Sequence, residues 1–224
     1  VSLLVWYLRL TFFNLRRVSM NKSFIIKIIV LCLVTIKVSA IEKIVLFGDS
    51  LMAGYGLNNE HHLSTVLQEK LISKGYKIEV VNGSVSGSTS SGGVNRVEWT
   101  LSESNINLVI LSLGANDMLR GIQPRETKNN LEKIIKTAQD KNIKVILAGM
   151  IAPTSYGFEY KSNFDQIYPD LSKQYNLPLI PFLLEGVALK PSLNLSDGMH
   201  PNEKGTIIIS KTLQEIILKN ILLN

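Results

Sequence analysis

Runs of apolar residues that end at a glycine or a polar cluster recur along the chain and predict buried strands. The first run stops at Gly48 and the third at Gly114. Continuous apolar runs of this length are typical of strands that are covered on both faces of a parallel sheet. Five segments are predicted as strands: 44–47, 78–81, 108–113, 145–148 and 177–180.

Between these strands, apolar residues return every three or four positions, which is the spacing of one face of an α-helix. Gly75 follows the first such stripe, and Pro124 suits the first turn of the third helix. Helices are predicted around 63–71, 94–101, 131–138 and 209–217. Strands that alternate with helices of this length indicate βαβ units, so the predicted fold class is an open α/β sandwich.

A short segment near the start of the chain has the layout of a secretory signal peptide. The apolar stretch Phe24–Ile36 is interrupted only by Lys27 and is shorter than the roughly 18–20 apolar residues of a membrane-spanning helix. It follows Met20-Asn21-Lys22 and precedes Val38-Ser39-Ala40. A basic start, an apolar stretch and a small-x-small ending predict a signal peptide over 20–40 that is cleaved after Ala40. An uncleaved signal anchor is the alternative.

The predicted organisation is therefore a leader over 1–40 and a single domain over 41–224. Within the leader, translation is predicted to start at Met20, so that residues 1–19 are an over-long gene start. The formal net charge of +6 lies in the leader, because six of the 24 Lys and Arg and none of the 18 Asp and Glu precede position 41. A charge-balanced domain gives no basis for a nucleic-acid partner. The single cysteine, Cys32, also lies in the leader, so the domain is predicted to lack disulfides, thiol catalysis and cysteine-based zinc sites.

Four polar clusters lie where chemistry is expected. Ligands of an open parallel sheet bind outside the carboxyl ends of the strands. The loops after the first three strands carry Asp49-Ser50, 82–87 and 114–117, and the fourth cluster, 197–201, precedes the last helix. These clusters are expected to meet at one edge of the sheet.

The residue types in these clusters suit nucleophilic catalysis. A serine hydroxyl such as that of Ser50 needs a base to take its proton, and His200, oriented by Asp197 three residues earlier, is the candidate base. The backbone N–H groups of Ser50 and Gly87 and the amide of Asn116 are candidate oxyanion donors. The predicted catalytic residues are thus Ser50, Asp197 and His200, and the predicted oxyanion hole comprises Ser50, Gly87 and Asn116.

Each cluster alone has a structural explanation. A serine after a strand is usually a helix cap or turn residue, and Asp49 and Asn116 also fit turns. A different class of function is a flavodoxin-like sheet that binds a nucleotide or phosphate with the predicted Gly/Ser-rich loop 82–93. That segment lacks both the GxGxxG pattern and the lysine of a P-loop, which ranks this alternative low.

The order GDS, then Gly87, GAND and DGMHP resembles the SGNH (GDSL-type) hydrolase superfamily, and in particular its acyl-CoA thioesterase, lysophospholipase and arylesterase members. The resemblance rests on FGDSLMAGYG, VVNGSVSGSTS, GANDMLRGIQPRET, IYPDLSKQYNLPLIPFLLEGVALKP and DGMHPN, which together span nearly all of 41–224. It places the four name-giving residues on Ser50, Gly87, Asn116 and His200, with the acid on Asp197. Ser88, where relatives commonly carry Asp, and Ala115, where Gly is common, depart from the pattern.

The resemblance implies a three-layer α/β/α sandwich with a parallel five-stranded flavodoxin-like sheet and no metal or organic cofactor. It implies a serine esterase for small-molecule acyl esters or thioesters, lysophospholipids among them, in the periplasm and without a membrane span once the signal is removed. A carbohydrate O-acetyl esterase of the same superfamily is the alternative.

Two further expectations concern an apolar rim for an acyl chain and an ion pair between Asp117 and Arg120. The rim is expected to contain Met52, Leu119, Ile122, Ile151, Phe158 and Leu184.

Overall fold

The computed structural model describes residues 43–222, and the predicted leader lies outside them. The strands are β1 (Lys43–Gly48), β2 (Glu79–Asn82), β3 (Ile106–Ser112), β4 (Lys144–Ala148) and β5 (Leu179–Ile180). The helices are α1 (Ser50–Ala53), α2 (Leu63–Ser73), α3 (Ser90–Thr100), α4 (Ala115–Leu119), α5 (Pro124–Asp140), α6 (Phe158–Asp165), α7 (Ile167–Tyr175) and α8 (Glu203–Ile217). Short 3-10 turns cover Asn59–His61, Thr154–Tyr156 and Pro191–Leu193, and a π-helical turn, Leu218–Leu222, follows α8.

The five strands form one parallel sheet in the order β2-β1-β3-β4-β5. Val45 of β1 lies beside Val81 of β2 on one side and Val109 of β3 on the other. The chain therefore leaves β1 toward one edge of the sheet and later returns to its other side, which makes the β1–β3 boundary the topological switch point. The predicted five-stranded parallel sheet is confirmed.

Alternate residues of each strand enter two separate hydrophobic cores. Val45 and Phe47 pack with α3, α5, α6 and α7, whereas Ile44 and Leu46 pack with α2 and α8. Residues 44–47 of β1 and 108–111 of β3 are buried on both faces of the sheet. This explains why apolar and polar residues do not alternate in their sequences. The predicted helical stripes supply the opposing surfaces, so the molecule has the three layers that the sequence predicted.

Several helices begin at residues that the apolar periodicity did not indicate. Helix α3 starts at Ser90, inside the segment 82–93 that was expected to be a loop, because the Thr89 hydroxyl caps it by accepting from the Gly92 N–H at 3.2 Å. Helices α6 and α7 were not predicted. Pro169 lies within the first turn of α7, where it blocks no helical hydrogen bond.

A buried carboxylate joins α4 to α3 and α5. Asp117 accepts hydrogen bonds from the Ser90 N–H at 2.8 Å, from the Ser90 hydroxyl, and from the Thr127 hydroxyl at 3.2 Å. All three side chains are fully buried. The expected ion pair with Arg120 is wrong, because the Arg120 guanidinium instead donates to the Gly87 carbonyl at 3.0 Å.

Replacing this carboxylate is expected to destabilise the fold. Asp117→Ala should lower the free energy of unfolding by about 2–4 kcal/mol, because three buried donors would lose their acceptor. Urea denaturation at neutral pH measures the effect. Arg120→Ala is the control and should change the same free energy by less than about 0.5 kcal/mol. A larger loss for the Arg120 variant than for the Asp117 variant would contradict this assignment.

Candidate active site

The candidate nucleophile stands at the junction of β1 and α1. Strand β1 ends at Gly48, and Asp49 then caps α1 by accepting from the Leu51 N–H at 3.0 Å. Ser50 is consequently the first residue of α1, where a backbone N–H has no intrahelical acceptor. The serine hydroxyl and its own N–H both lie at the carboxyl edge of the sheet.

Three predicted residues form a continuous chain of hydrogen bonds. The His200 Nε2 lies 2.8 Å from the Ser50 Oγ, and the His200 Nδ1 lies 2.6 Å from the Asp197 Oδ2. An ionised carboxylate only accepts, so Nδ1 carries the ring proton and Nε2 of the neutral ring accepts from the Ser50 hydroxyl. This is the orientation that a general base needs to activate a serine.

The Asp197 carboxylate is held in its charged form by the loop that carries it. Its Oδ1 accepts from the His200 N–H at 3.0 Å and from the Met199 N–H at 2.9 Å. These backbone bonds, together with the His200 ring, lower the pKa of Asp197 to about 2. The side chain therefore remains an anion at any pH at which the neutral imidazole could act as a base.

The candidate oxyanion donors come from the ends of β1, β2 and β3. Gly87 has φ +76°, a backbone conformation that residues with a Cβ rarely adopt, and an added Cβ there would meet open space. The Asn116 Nδ2 lies 3.3 Å from the Asp49 Oδ2 and 3.2 Å from the Ser88 carbonyl. The structure thus gathers all five residues predicted for the site, from four separate segments, at one edge of the sheet.

Asp49, which could be explained from the sequence as a turn residue, is a buried carboxylate at the centre of the site. Only 2% of the residue is exposed. Burial raises the pKa of Asp49 to about 6, although the bonds from the Leu51 N–H and Asn116 and the nearby His200 act in the opposite direction. Asp49 orients the Asn116 amide while keeping a charge that its surroundings disfavour.

Two arginines, Arg120 and Arg96, brace the loops of the site through backbone carbonyls, and neither contact was predicted from the sequence. Arg96 of α3 donates to the Gly83 carbonyl at 2.5 Å and to the Gly48 carbonyl at 2.8 Å, with its guanidinium 3.8 Å from the centre of the Phe47 ring. Burial lowers the pKa of Arg96 to about 10. A lone arginine within a helix gives no sequence signal for such a role.

A cavity of about 490 Å³ opens beside Ser50 and His200. Apolar side chains from the loops after β3, β4 and β5 line most of it, and Gly87 and Asn116 lie on its wall. Those apolar residues are Met118, Leu119, Met150, Ile151, Pro153, Phe182, Leu184, Ala188 and Leu189, joined by Leu51, Tyr55 and Met199. The remaining lining residues include the polar side chains of Ser50, Ser86, Asn116 and His200, so the cavity combines a largely apolar wall with a few polar groups, as in pockets that bind an apolar chain with one reactive group.

The expected apolar rim is only partly correct. Leu119, Ile151 and Leu184 line the cavity, as predicted. Met52, a residue of α1, is instead fully buried in the core, and Phe158 is 89% exposed and outside the cavity lining. Ile122 does not line the cavity and offers its carbonyl to the Tyr160 hydroxyl at 2.8 Å. Periodicity identified apolar loop residues but not the direction in which each side chain points.

No cluster of three or more His, Cys, Asp or Glu side chains that could hold a metal ion occurs within residues 43–222. In the same part of the chain, none of the helices has the length and apolar character required to cross a membrane.

A parallel α/β sandwich with Ser50, His200 and Asp197 in series beside an apolar cavity has the architecture of a serine hydrolase. Comparison with known proteins makes this more specific. The profile of the GDSL-like Lipase/Acylhydrolase family matches residues 46–206, so the chain belongs to that family. It is accordingly an enzyme that hydrolyses ester bonds.

Relatives of known name cover most of the chain. The arylesterase of Vibrio mimicus is 35% identical over 182 residues, which are 81% of this chain and 91% of the relative. The thioesterase 1/protease 1/lysophospholipase L1 of Escherichia coli K12 is 36% identical over 191 residues, which are 84% of this chain and 90% of the relative. The crystal structure of the psychrotrophic esterase EstA from Pseudoalteromonas sp. superposes with a TM-score of 0.75 at 32% identity, covering 80% of this chain and 97% of the esterase.

The raised pKa of Asp49 predicts a pH-dependent cost to stability. Between about pH 4 and pH 6 the folded chain retains a proton on Asp49 that the unfolded chain has released, so stability falls as the pH rises through this window. Asp49→Asn cannot ionise. From pH 4 to pH 7 the wild type should lose about 2–3 kcal/mol of unfolding free energy relative to this variant.

Urea denaturation of both proteins across the pH range measures this difference. Asp140→Asn, a substitution on the last residue of α5 outside the cavity, is the control and should give a constant difference from wild type. Parallel pH profiles for wild type and Asp49→Asn would contradict the buried, charged state inferred for Asp49.

Proposed function

We propose that the protein hydrolyses carboxylic esters and thioesters by two-step acyl transfer, with Ser50 as nucleophile, His200 as general acid and base, and Asp197 as the acid that orients it. The observation that carries this assignment is the hydrogen-bonded series from Ser50 Oγ through His200 to Asp197, with distances of 2.8 and 2.6 Å, at the mouth of an apolar cavity. No step of the mechanism requires a metal or an organic cofactor.

In the first step, His200 Nε2 takes the hydroxyl proton of Ser50 while Oγ bonds to the substrate carbonyl carbon. The carbonyl electrons move to oxygen and form a tetrahedral oxyanion. When the oxyanion collapses, the bond to the alcohol or thiol breaks and that group takes the proton from His200. The products of this step are an acyl-serine and the free alcohol or thiol.

Water completes the cycle by the same chemistry. His200 removes a proton from water while the water oxygen bonds to the acyl carbon, which forms a second tetrahedral oxyanion. When this oxyanion collapses, the bond from the carbon to Ser50 Oγ breaks, Oγ takes the proton from His200, and the carboxylic acid leaves. In both steps the Ser50 N–H, the Gly87 N–H and the Asn116 amide stabilise the oxyanion. The existing Asn116 contacts of 3.2 and 3.3 Å are long, so an oxyanion, which forms shorter charge-assisted bonds, can compete for the amide hydrogens.

The cavity supports an acyl chain as the part of the substrate that binds next to the carbonyl. Each buried methylene contributes about 0.8 kcal/mol, so an apolar wall favours longer chains. Leu189 on this wall is 93% exposed and has φ +63°. A left-handed backbone costs a residue other than glycine roughly 1–2 kcal/mol, and such costs are concentrated at functional sites. Contact with an acyl chain gives this exposed leucine a role.

The proposals for a particular substrate class and for the cellular compartment rest on the sequence and on the names of relatives. Lysophospholipids are proposed as one substrate class, because a relative carries lysophospholipase in its name and the cavity is apolar. The leader predicted over 20–40 supports action outside the cytoplasm, in the periplasm if the cell has an outer membrane. Esters present in that compartment are then the substrates that the enzyme meets.

Substitutions at the nucleophile and at an oxyanion donor should have graded effects. Ser50→Ala should reduce kcat toward a p-nitrophenyl ester by on the order of 10⁶-fold, because no acyl-enzyme can form. Asn116→Ala should reduce kcat by about 10²- to 10³-fold, since the two backbone donors remain. The rate of p-nitrophenol release by the purified, folded proteins gives both kcat values.

Labelling by a serine-directed fluorophosphonate provides a second measurement. Wild type should be labelled once and Ser50→Ala not at all. Retention of most esterase activity in Ser50→Ala would overturn the assignment of the nucleophile. If Asn116→Ala matched Ser50→Ala and also lost its folded structure, Asn116 would be a structural turn residue instead.

An acyl-length series separates the proposed chemistry from carbohydrate deacetylation. We expect kcat/KM to rise from acetyl to octanoyl p-nitrophenyl esters, and thioesters of the same acyl groups to be hydrolysed as well. Ile151→Ser should lower kcat/KM for octanoyl more than for acetyl, because it removes apolar surface from the cavity wall.

Ile72→Ser is the matched control, since Ile72 is 53% exposed on α2 and outside the cavity lining, whereas Ile151 is 42% exposed. It should leave the ratio between the two esters unchanged. A wild-type preference for acetyl over octanoyl would instead favour the carbohydrate O-acetyl esterase.

A further inference from the structure

The Tyr55 ring lies against the ring of the candidate base. The centroids of the Tyr55 and His200 rings are 4.4 Å apart, and their planes are inclined by 35°. This contact covers a face of the imidazole, whereas the hydrogen bonds to Ser50 and Asp197 lie at its edge. Tyr55 is 51% exposed, so the ring is not held there by burial in a core.

His62 fixes the backbone on both sides of Tyr55. The His62 ring packs so closely on Gly54 that an added Cβ would lie 2.3 Å from the ring. Its Nε2 also lies 3.2 Å from the Leu57 carbonyl. Gly54 precedes Tyr55 and Leu57 follows it by two positions. The turn that carries the tyrosine is therefore held on both sides by the side chain of His62, the residue that directly precedes α2.

The turn that carries Tyr55 also packs closely against the loop that carries His200. A Cβ on Gly56 would lie 2.7 Å from the Leu195 side chain, and Gly56 itself has φ +74°. The Leu195 N–H donates to the His200 carbonyl at 2.7 Å, so Leu195 and His200 belong to one small loop. The close approach of Gly56 therefore brings Tyr55 onto the imidazole.

The charged and titratable groups that face His200 come from two segments. Asp197 bonds to it from its own loop, and Asp49, next to Ser50, interacts with it electrostatically. Tyr55 is the third such group and the one that presents an aromatic face. Aromatic faces carry negative charge density and attract cations within about 6 Å of the ring centre.

We propose that Tyr55 is a positioning residue that stabilises the protonated ring of His200 during acyl transfer. This inference rests on the proposed function, in which His200 takes the proton of Ser50 and is an imidazolium at each tetrahedral intermediate. The Asp197 carboxylate stabilises the positive charge through its hydrogen bond at the ring edge, and the Tyr55 ring stabilises it from one face. Tyr55 also restricts rotation of the imidazole about its bond to the loop.

Removing the aromatic face should lower both the pKa of His200 and the rate. In the free enzyme, less stabilisation of the protonated ring means that the ring loses its proton at a lower pH. During catalysis the same loss raises the energy of the transition state. Tyr55→Leu should therefore move the acid limb of the kcat/KM profile down by about half a pH unit and lower its plateau two- to five-fold.

The aromatic variants provide the controls. Tyr55→Phe keeps the ring without the hydroxyl and should remain within two-fold of wild type, with an unchanged acid limb. Tyr55→Trp presents a stronger cation-binding face and should move the acid limb upward. A role in packing alone would make leucine and tryptophan shift the limb in the same direction, since both would misfit.

The decisive measurement is an NMR titration of the histidine ring protons of the free enzyme. The chain has three histidines, so the His200 resonance is identified by its loss in His200→Gln. We expect its pKa to follow the order Trp, then Tyr and Phe, then Leu. The same pKa in the leucine variant and in wild type would overturn the proposal. The titration reports the ring contact whether or not esters are hydrolysed, so failure of the proposed function is recognised separately by the Ser50→Ala assay.

Discussion

The parallel pairing of β1 with β2 on one side and β3 on the other is the constraint on which the site depends. It aligns the carboxyl ends of three strands, and the segment that follows each strand carries one candidate oxyanion donor: Ser50, Gly87 or Asn116. The three segments lie far apart in the sequence, but neighbouring strands bring them within hydrogen-bonding distance of one another. His200 then reaches Ser50 from a fourth segment, 150 positions away.

A layer of buried polar groups beneath the site converts this approximate alignment into fixed geometry. Asp49 orients the Asn116 amide, Asp117 joins α4 to two other helices, and Arg96 links the carbonyls of Gly48 and Gly83. Burial of such groups is costly unless they are hydrogen-bonded, and each one here has partners from a different segment. The cost is offset by hydrogen bonds that form only when the loops have their native arrangement, so this network specifies the geometry of the site.

Much of the fold and most of the candidate site could be predicted from the sequence, for identifiable reasons. Strands such as 44–47 are covered on both faces, and this leaves a continuous apolar signal. Ser50, Gly87, Asn116 and the pair Asp197 and His200 each belong to a short polar cluster next to a strand or helix. Helix α3, in contrast, depends on the Thr89 cap within a glycine- and serine-rich segment, and composition alone indicated a loop. The partners of Asp117 and the contact between Tyr55 and His200 join distant segments, and no local pattern records them.

The two carboxylates next to the serine and histidine differ in environment, and this separates their roles. Asp197 accepts three hydrogen bonds, two of them from backbone N–H groups, and its pKa falls to about 2. Asp49 is almost fully buried, and its pKa rises to about 6. Of these two carboxylates, only Asp197 is hydrogen-bonded to the imidazole, and its lowered pKa keeps it charged at neutral pH. Asp49 contacts Asn116 instead, so in the proposed mechanism it would act through the position of a candidate oxyanion donor.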